Sequence, residues 1–125
     1  MSNLYFTDNH EWIDFQGTVA YVGVCHSKIS GLKKIIKIVF SKISRITKKG
    51  DVIAYIYTKN GKVPVHMPVD GKIISFNDKQ PLIERITLLQ YAENDSWMAL
   101  IGLAQPYERK GLMQLAQYKQ FSKKH

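Results

Sequence analysis

The stretch YTKNGKVP, Tyr57 to Pro64, sets two primary amines, Lys59 and Lys62, on either side of an Asn60-Gly61 pair. A lysine amine at an exposed turn can be acylated, and its flexible four-carbon stem then carries the attached group. Other residues offer less chemistry. His10, His26, His66 and His125 have no ligand spacing to one another, and Cys25 is the single cysteine, so neither a zinc site nor a disulfide framework is expected. Cys25 and His26 are adjacent, and neighbours on a strand point to opposite faces, so a buried structural thiol is expected rather than a thiolate–imidazole pair. Gly17, Gly23, Gly31 and Gly50 are isolated and form no phosphate loop. No serine sits in a nucleophile elbow.

The charge is unevenly placed. The chain of 125 residues has a net charge of +8. Between Phe15 and Gly50 there is no Asp or Glu, and that segment holds Lys28, Lys33, Lys34, Lys37, Lys42, Arg45, Lys48 and Lys49. Elsewhere acids and bases balance, so the excess lies in this one segment. Such a field attracts an anionic partner: an acidic protein surface, nucleic acid or a membrane face. The sequence has neither an aromatic pattern of the RNA-recognition type nor a recognition helix, which counts against nucleic acid. No apolar run reaches membrane-spanning length, and the start has no basic region followed by an apolar stretch. A single cytoplasmic domain over residues 1–125 is the expectation.

The elements that must position the tip are short. Tyr5 to Phe15 and Thr18 to Cys25 read as a hairpin turning at Gln16-Gly17. His26 to Gly31 fits one helical turn with Ser27 as N-cap. The later half of Leu32 to Ser41 reads as a strand. Val52 to Thr58 and Val63 to Met67 read as partners across the tip, followed by a strand over Lys72 to Phe76. Leu82 to Leu89 suits helix or strand. Asn94-Asp95 marks a turn before a strand over Trp97 to Leu103. A helix is expected between Arg109 and Ser122, with Leu112, Leu115, Ala116 and Phe121 on one face.

At the tip, a two-residue Asn60-Gly61 loop would pair Tyr57 with Pro64 and ask Pro64 for an N–H it lacks. A four-residue loop over Lys59 to Lys62 avoids this and is the expectation. Parity then puts Ala54, Ile56, Thr58, Val63, Val65 and Met67 on an apolar face, and Tyr55, Tyr57, Lys59, Lys62, Pro64 and His66 on a basic, aromatic one.

Four stretches in order carry a resemblance. They are HEWI (His10–Ile13), VAYVGV (Val19–Val24), KKGDVIAYI (Lys48–Ile56) and MPVDGKI (Met67–Ile73), followed by Trp97 and a C-terminal helix. Together, over about Tyr5 to Phe121, they resemble the H-protein of the glycine cleavage system. The resemblance implies a mainly β fold of the lipoyl/biotinyl type, a flattened barrel-sandwich (barrel-sandwich hybrid) with a short helix and a C-terminal helix. It implies a structural role for His10-Glu11-Trp12, the Trp packing and the polar pair holding the first hairpin. It implies a carrier rather than a catalyst. In the family, a lipoyl group on a hairpin-tip lysine takes an aminomethyl group from the glycine decarboxylase subunit to the aminomethyltransferase, and dihydrolipoamide dehydrogenase reoxidises it.

Aligned on Gly50-Asp51 and on Pro68 to Gly71, the family's lysine position falls on Asn60. The acidic and hydroxyl positions before it fall on Tyr57 and Thr58. Members of the family are usually acidic, and this chain is basic. The expectation is therefore a divergent member with a degenerate lipoylation site and no cofactor. It would act as a non-catalytic binding or regulatory module for protein partners: glycine cleavage or lipoylation enzymes, or an acidic surface met by the basic segment. The alternatives are a genuine lipoyl carrier using Lys59 or, second, Lys62, and a nucleic-acid binder using the basic surface.

Overall fold

A computed structural model describes residues 3–32, 34–41, 46–78, 82–88 and 96–124. Nine strands and three helices are found among them: β1 (Leu4–Phe6), β2 (Glu11–Gln16), β3 (Val19–Val24), α1 (His26–Ile29), β4 (Ile35–Phe40), β5 (Ile46–Thr47), β6 (Val52–Thr58), β7 (Gly61–His66), β8 (Gly71–Phe76), α2 (Leu82–Leu88), β9 (Ala99–Leu103) and α3 (Leu115–Lys124). Every strand pairing is antiparallel. Six strands form one sheet in the order β1-β2-β3-β9-β8-β5, and three form a second in the order β4-β6-β7. Both sheets have free edges, so the expected sandwich forms without closing into a barrel.

The core follows from period-two patterning. Ile13, Phe15, Ala20 and Val22 from the larger sheet meet Ala54, Ile56, Val65 and Met67 from the smaller one, all buried. Full burial of side chains such as Ile13 and Ile56 contributes about 1.5–3 kcal/mol each. A second cluster, Phe6, Trp12, Cys25 and Tyr118, fastens α3 to the first strands.

Two local expectations are corrected and one open reading is resolved. The N-cap of α1 is Cys25, with no side-chain cap bond, because β3 runs directly into the helix; Ser27 lies inside it. Leu82–Leu88 resolves to helix. The last helix begins only at Leu115, because Phe6 and Met113 form a β-bridge and hold the preceding chain extended. That start sets the helix phase. Tyr118 is fully buried and stacks on Phe6 with ring centroids 4.7 Å apart, whereas Leu115 is exposed. The turn expected at Asn94-Asp95 lies outside the described residues.

Two glycines are required by packing rather than by dihedral angles. A Cβ on Gly71 would sit 2.5 Å from the Gly102 carbonyl oxygen. A Cβ on Gly23 would sit 2.4 Å from the Trp12 ring, which lies across the β2–β3 pair where Trp12 and Gly23 are partners. Gly23→Ala should therefore cost about 1–3 kcal/mol through overpacking, read as a lowered urea midpoint with an unchanged slope.

Candidate functional site

The tip is the β6–β7 hairpin. Thr58 pairs with Gly61 and Tyr57 with Lys62, so the loop is only Lys59 and Asn60. The four-residue loop expected above does not form. Gly61 takes φ of +145°, a value open to glycine, and starts β7 two residues before the expected Val63. The conflict at Pro64 disappears in another way. Pro64 pairs with Tyr55, three pairs along from the loop-flanking Thr58–Gly61 pair. In a two-residue hairpin that is a non-hydrogen-bonded position, so no N–H is needed toward β6. Its missing donor faces the free edge of the sheet, where proline is tolerated.

Thr58 closes the turn. Its Oγ1 donates to the Gly61 carbonyl at 3.0 Å and accepts from the Asn60 N–H at 3.2 Å. The Lys59 N–H donates to the Lys34 carbonyl at 3.2 Å, which ties the tip to the start of β4. Lys59 and Asn60 are both exposed. Lys62 is set differently: its ammonium lies 4.2 Å from the Tyr55 ring centroid and 5.8 Å from that of Tyr57. The expected division of faces holds along the strands: Thr58, Ile56 and Ala54 are buried, and Tyr55, Tyr57, Lys62 and Pro64 lie opposite. Lys59 lies in the loop rather than on that face, and His66 turns its ring to the buried Glu11.

A family model, glycine cleavage H-protein, matches residues 4–125 of this chain. The chain belongs to the glycine cleavage H-protein family. Curated H proteins agree over nearly their full length. That of Thermoanaerobacter sp. (strain X514) is 28% identical over 121 residues, spanning 97% of this chain and 94% of the relative. That of Bradyrhizobium diazoefficiens is 30% identical over 119 residues, spanning 95% and 97%. The solved H protein from Mycobacterium marinum superposes with a TM-score of 0.76 at 15% identity, covering 96% of both chains, which supports the fold.

The lipoyl group of this family needs a primary amine for its amide link. Asn60, at the second loop position, has a carboxamide and does not fit; the neighbouring Lys59 has the amine. No group-transfer step is assigned to Asn60.

The basic residues do not share one surface. Lys28 is turned inward: its ammonium donates to Glu11 Oε2 and to the Asn9 carbonyl, each at 2.8 Å. Lys28 is therefore a structural cation, not a free contact. Lys49 donates to the Lys110 carbonyl at 2.7 Å. The N–H groups of Lys48 and Lys49 donate to Asp51 and Asp70. Lys33, Lys42 and Arg45 lie outside the described residues. Lys34 and Lys37 stand on or beside β4, close to the tip, and join Lys59 and Lys62 there.

Sequence reasoning missed the buried site behind the hairpin. Glu11 is 1% exposed, and its Oε2 accepts from Lys28, from the His66 N–H at 2.7 Å and from His66 Nδ1 at 3.0 Å. Glu11 Oε1 and Trp12 Nε1 have no hydrogen-bond partner among the described residues. The polar residues of the HEW motif thus do more than hold the first hairpin. Glu11 joins β2 to α1 and to β7 in the other sheet. His10, at φ of 61°, brings its ring Nδ1 within 2.8 Å of the Tyr118 hydroxyl. A glutamate among apolar strand residues was the available signal, since a buried carboxylate must find donors; its partner His66 is 55 residues away.

Cys25 is fully buried while His26 is exposed, so the buried thiol expected is found, but at a strand-to-helix junction rather than by alternation along a strand. Burial pushes the Cys25 thiol up to about 12, partly offset by its bond with Tyr118. The native thiol should resist iodoacetamide at pH 8 and react once the chain is unfolded. The raised value also fixes a pH dependence. Below about pH 9 both states keep the proton, and stability is unaffected; above it only the unfolded thiol ionises. Stability should fall from about pH 9 toward pH 12, by up to about 1.4 kcal/mol per unit, and Cys25→Ala should remove this component. Glu11→Ala leaves Lys28 without its buried counter-charge and should cost about 3–5 kcal/mol in denaturant unfolding.

Proposed function

We propose that this chain is a non-catalytic binding module of the H-protein family rather than a lipoyl carrier. The observation that carries it is the occupant of the tip: the two-residue loop holds Asn60, which has no amine, where the alignment on Gly50-Asp51 and Pro68 to Gly71 sets the family's lysine. Two features agree. Tyr57 replaces the acidic residue that precedes the family's lysine, and it faces the ammonium of Lys37 at 5.0 Å from its ring centroid. Thr58 keeps the hydroxyl and spends both of its hydrogen bonds on closing the turn. An attachment enzyme must bring one amine to its reacting acyl group, and a shift of one residue around a tight turn points that amine elsewhere. The tip then serves as a rigid corner beside a surface that meets protein partners.

A second function, the carrier, is favoured by one observation. Lys59 is exposed in the same loop, and a cleft of about 630 Å³ begins next to it, at Ile35, the partner of Thr58. That cleft lies between β4 and α2 and is mixed: Ile35, Ile38, Phe40, Leu82 and Ile83 are its apolar lining, and Lys37, Asn77, Asp78 and Glu84 its polar lining.

Intact-mass analysis of the chain from its own host, with fragmentation across Tyr57 to Pro64, separates the two. The expected result is an unmodified tip in cells whose other lipoyl proteins are modified. A lipoyl-sized addition on Lys59, abolished by Lys59→Arg, would overturn the binding-module proposal and establish a carrier with a displaced attachment point.

A further inference from the structure

The outer face of the β4-β6-β7 sheet is ordered in rows. Across the three strands, Lys37 pairs with Tyr57 and Tyr57 with Lys62; in the next row outward on the same face, Val39 pairs with Tyr55 and Tyr55 with Pro64. One row is cation–aromatic–cation, and the other is apolar. Neither β4, β6 nor β7 contains an acidic residue. Among the described residues, no carboxylate pairs with Lys37 or Lys62, and the ion pairs are those of Lys28 and His66, both with Glu11. Lys34 and Lys59 add two exposed cations at the tip end. Val39 keeps 40% of its surface exposed beside these rows.

We propose that this face docks an acidic segment of a partner protein, one that carries carboxylates for the Lys37–Tyr57–Lys62 row and an apolar side chain for the Val39–Tyr55–Pro64 row. It rests on the binding-module function and names the chemistry of the partner. Three observations select that occupant. The first is charge: Lys37 and Lys62 pair with no carboxylate among the described residues and their strands hold no acid, which raises the local concentration of anionic groups and their rate of encounter; Asp78 and Glu84, which line the same cleft as Lys37, lie off these strands. The second is spacing. Two strand separations put Lys37 and Lys62 about 10 Å apart at their backbones, a span that two carboxylates of one extended segment can bridge. The third concerns the rings. Lys62 covers Tyr55 at 4.2 Å and Lys37 covers Tyr57 at 5.0 Å. Ring faces occupied by ammonium groups are not open platforms for stacked bases, which favours a protein segment over single-stranded nucleic acid. Docking uses side chains rather than strand addition. The free edge of β7 is interrupted at Pro64, which has no N–H to offer a new strand.

The test uses the full chain, labelled with nitrogen-15, and a short Asp/Glu-rich peptide carrying one central Phe. Amide shifts should centre on Lys37, Tyr55, Tyr57 and Lys62 and should shrink as salt is raised. The double variant Lys37→Glu/Lys62→Glu should weaken binding about tenfold or more, a loss of at least 1.4 kcal/mol. Tyr55→Ser, which leaves the charge alone, should weaken it too. Lys123→Glu/Lys124→Glu, the same charge change placed on α3, should leave it unchanged. The proposal fails if no shifts appear at low salt, if both double variants lose binding equally, or if an oligonucleotide of equal charge binds this face more tightly. Intact mass tests the tip independently. A modified Lys59 with a working acidic-peptide site would defeat the binding-module function alone, and an unmodified tip with no peptide binding would defeat this docking proposal alone.

Discussion

The carboxylate of Glu11 is taken out of water at the start of β2, and its neighbours are arranged around that fact. An ionised group in an apolar interior is costly unless donors surround it. Here three donors come from two elements: α1 through Lys28, and β7 through both the backbone and the ring of His66. Thr7 adds a bond from the Glu11 N–H to its Oγ1. One side chain therefore fixes where the second sheet stands relative to the first. It also explains why the most buried lysine of the basic segment cannot act at the surface.

Anchoring β7 at His66 has consequences at its far end. With that residue held, the β6–β7 register is set, and with it the two-residue loop at Lys59-Asn60. Thr58 secures the loop locally, and the Lys59 N–H ties it to Lys34. The tip is thus over-determined from both ends. A slot so firmly placed makes residue identity decisive, because Asn60 cannot exchange places with Lys59 without moving the register of the whole hairpin. The fold shared with other H proteins and the chemistry of the tip are separable, since scaffold and site are specified by different residues.

The surface follows a different logic from the core. Period-two alternation sends every second residue of β6 and β7 inward, and those inward residues are the ordinary apolar set of a sandwich. The outward set is free to vary, and in this chain it is lysine and tyrosine with no acid. Cation–π contacts at exposed sites contribute about 0.5–1 kcal/mol each. That is enough to order the lysine side chains over the rings and too little to account for the fold. Their arrangement bears on recognition more than on stability.

Much was legible in the sequence because it depends on local pattern. Alternation placed Val52–Thr58 and its partner strand and gave the faces of Ala54 to Thr58 and of Lys62 to Val65. The ordered motifs from HEWI to MPVDGKI carried the family. What failed depended on contacts between distant residues. The loop length turned on Gly61 joining β7. The face of the last helix turned on the bridge between Phe6 and Met113, which sets where α3 starts and so brings Tyr118, not Leu115, inward. Lys28 looked like its neighbours in a basic run until Glu11 drew it inside. The sequence by itself determined the strands and their inward faces, since these follow from side-chain type and a two-residue period. Only the tertiary structure decided which lysines remain available, because availability depends on which charges the folded chain buries against one another.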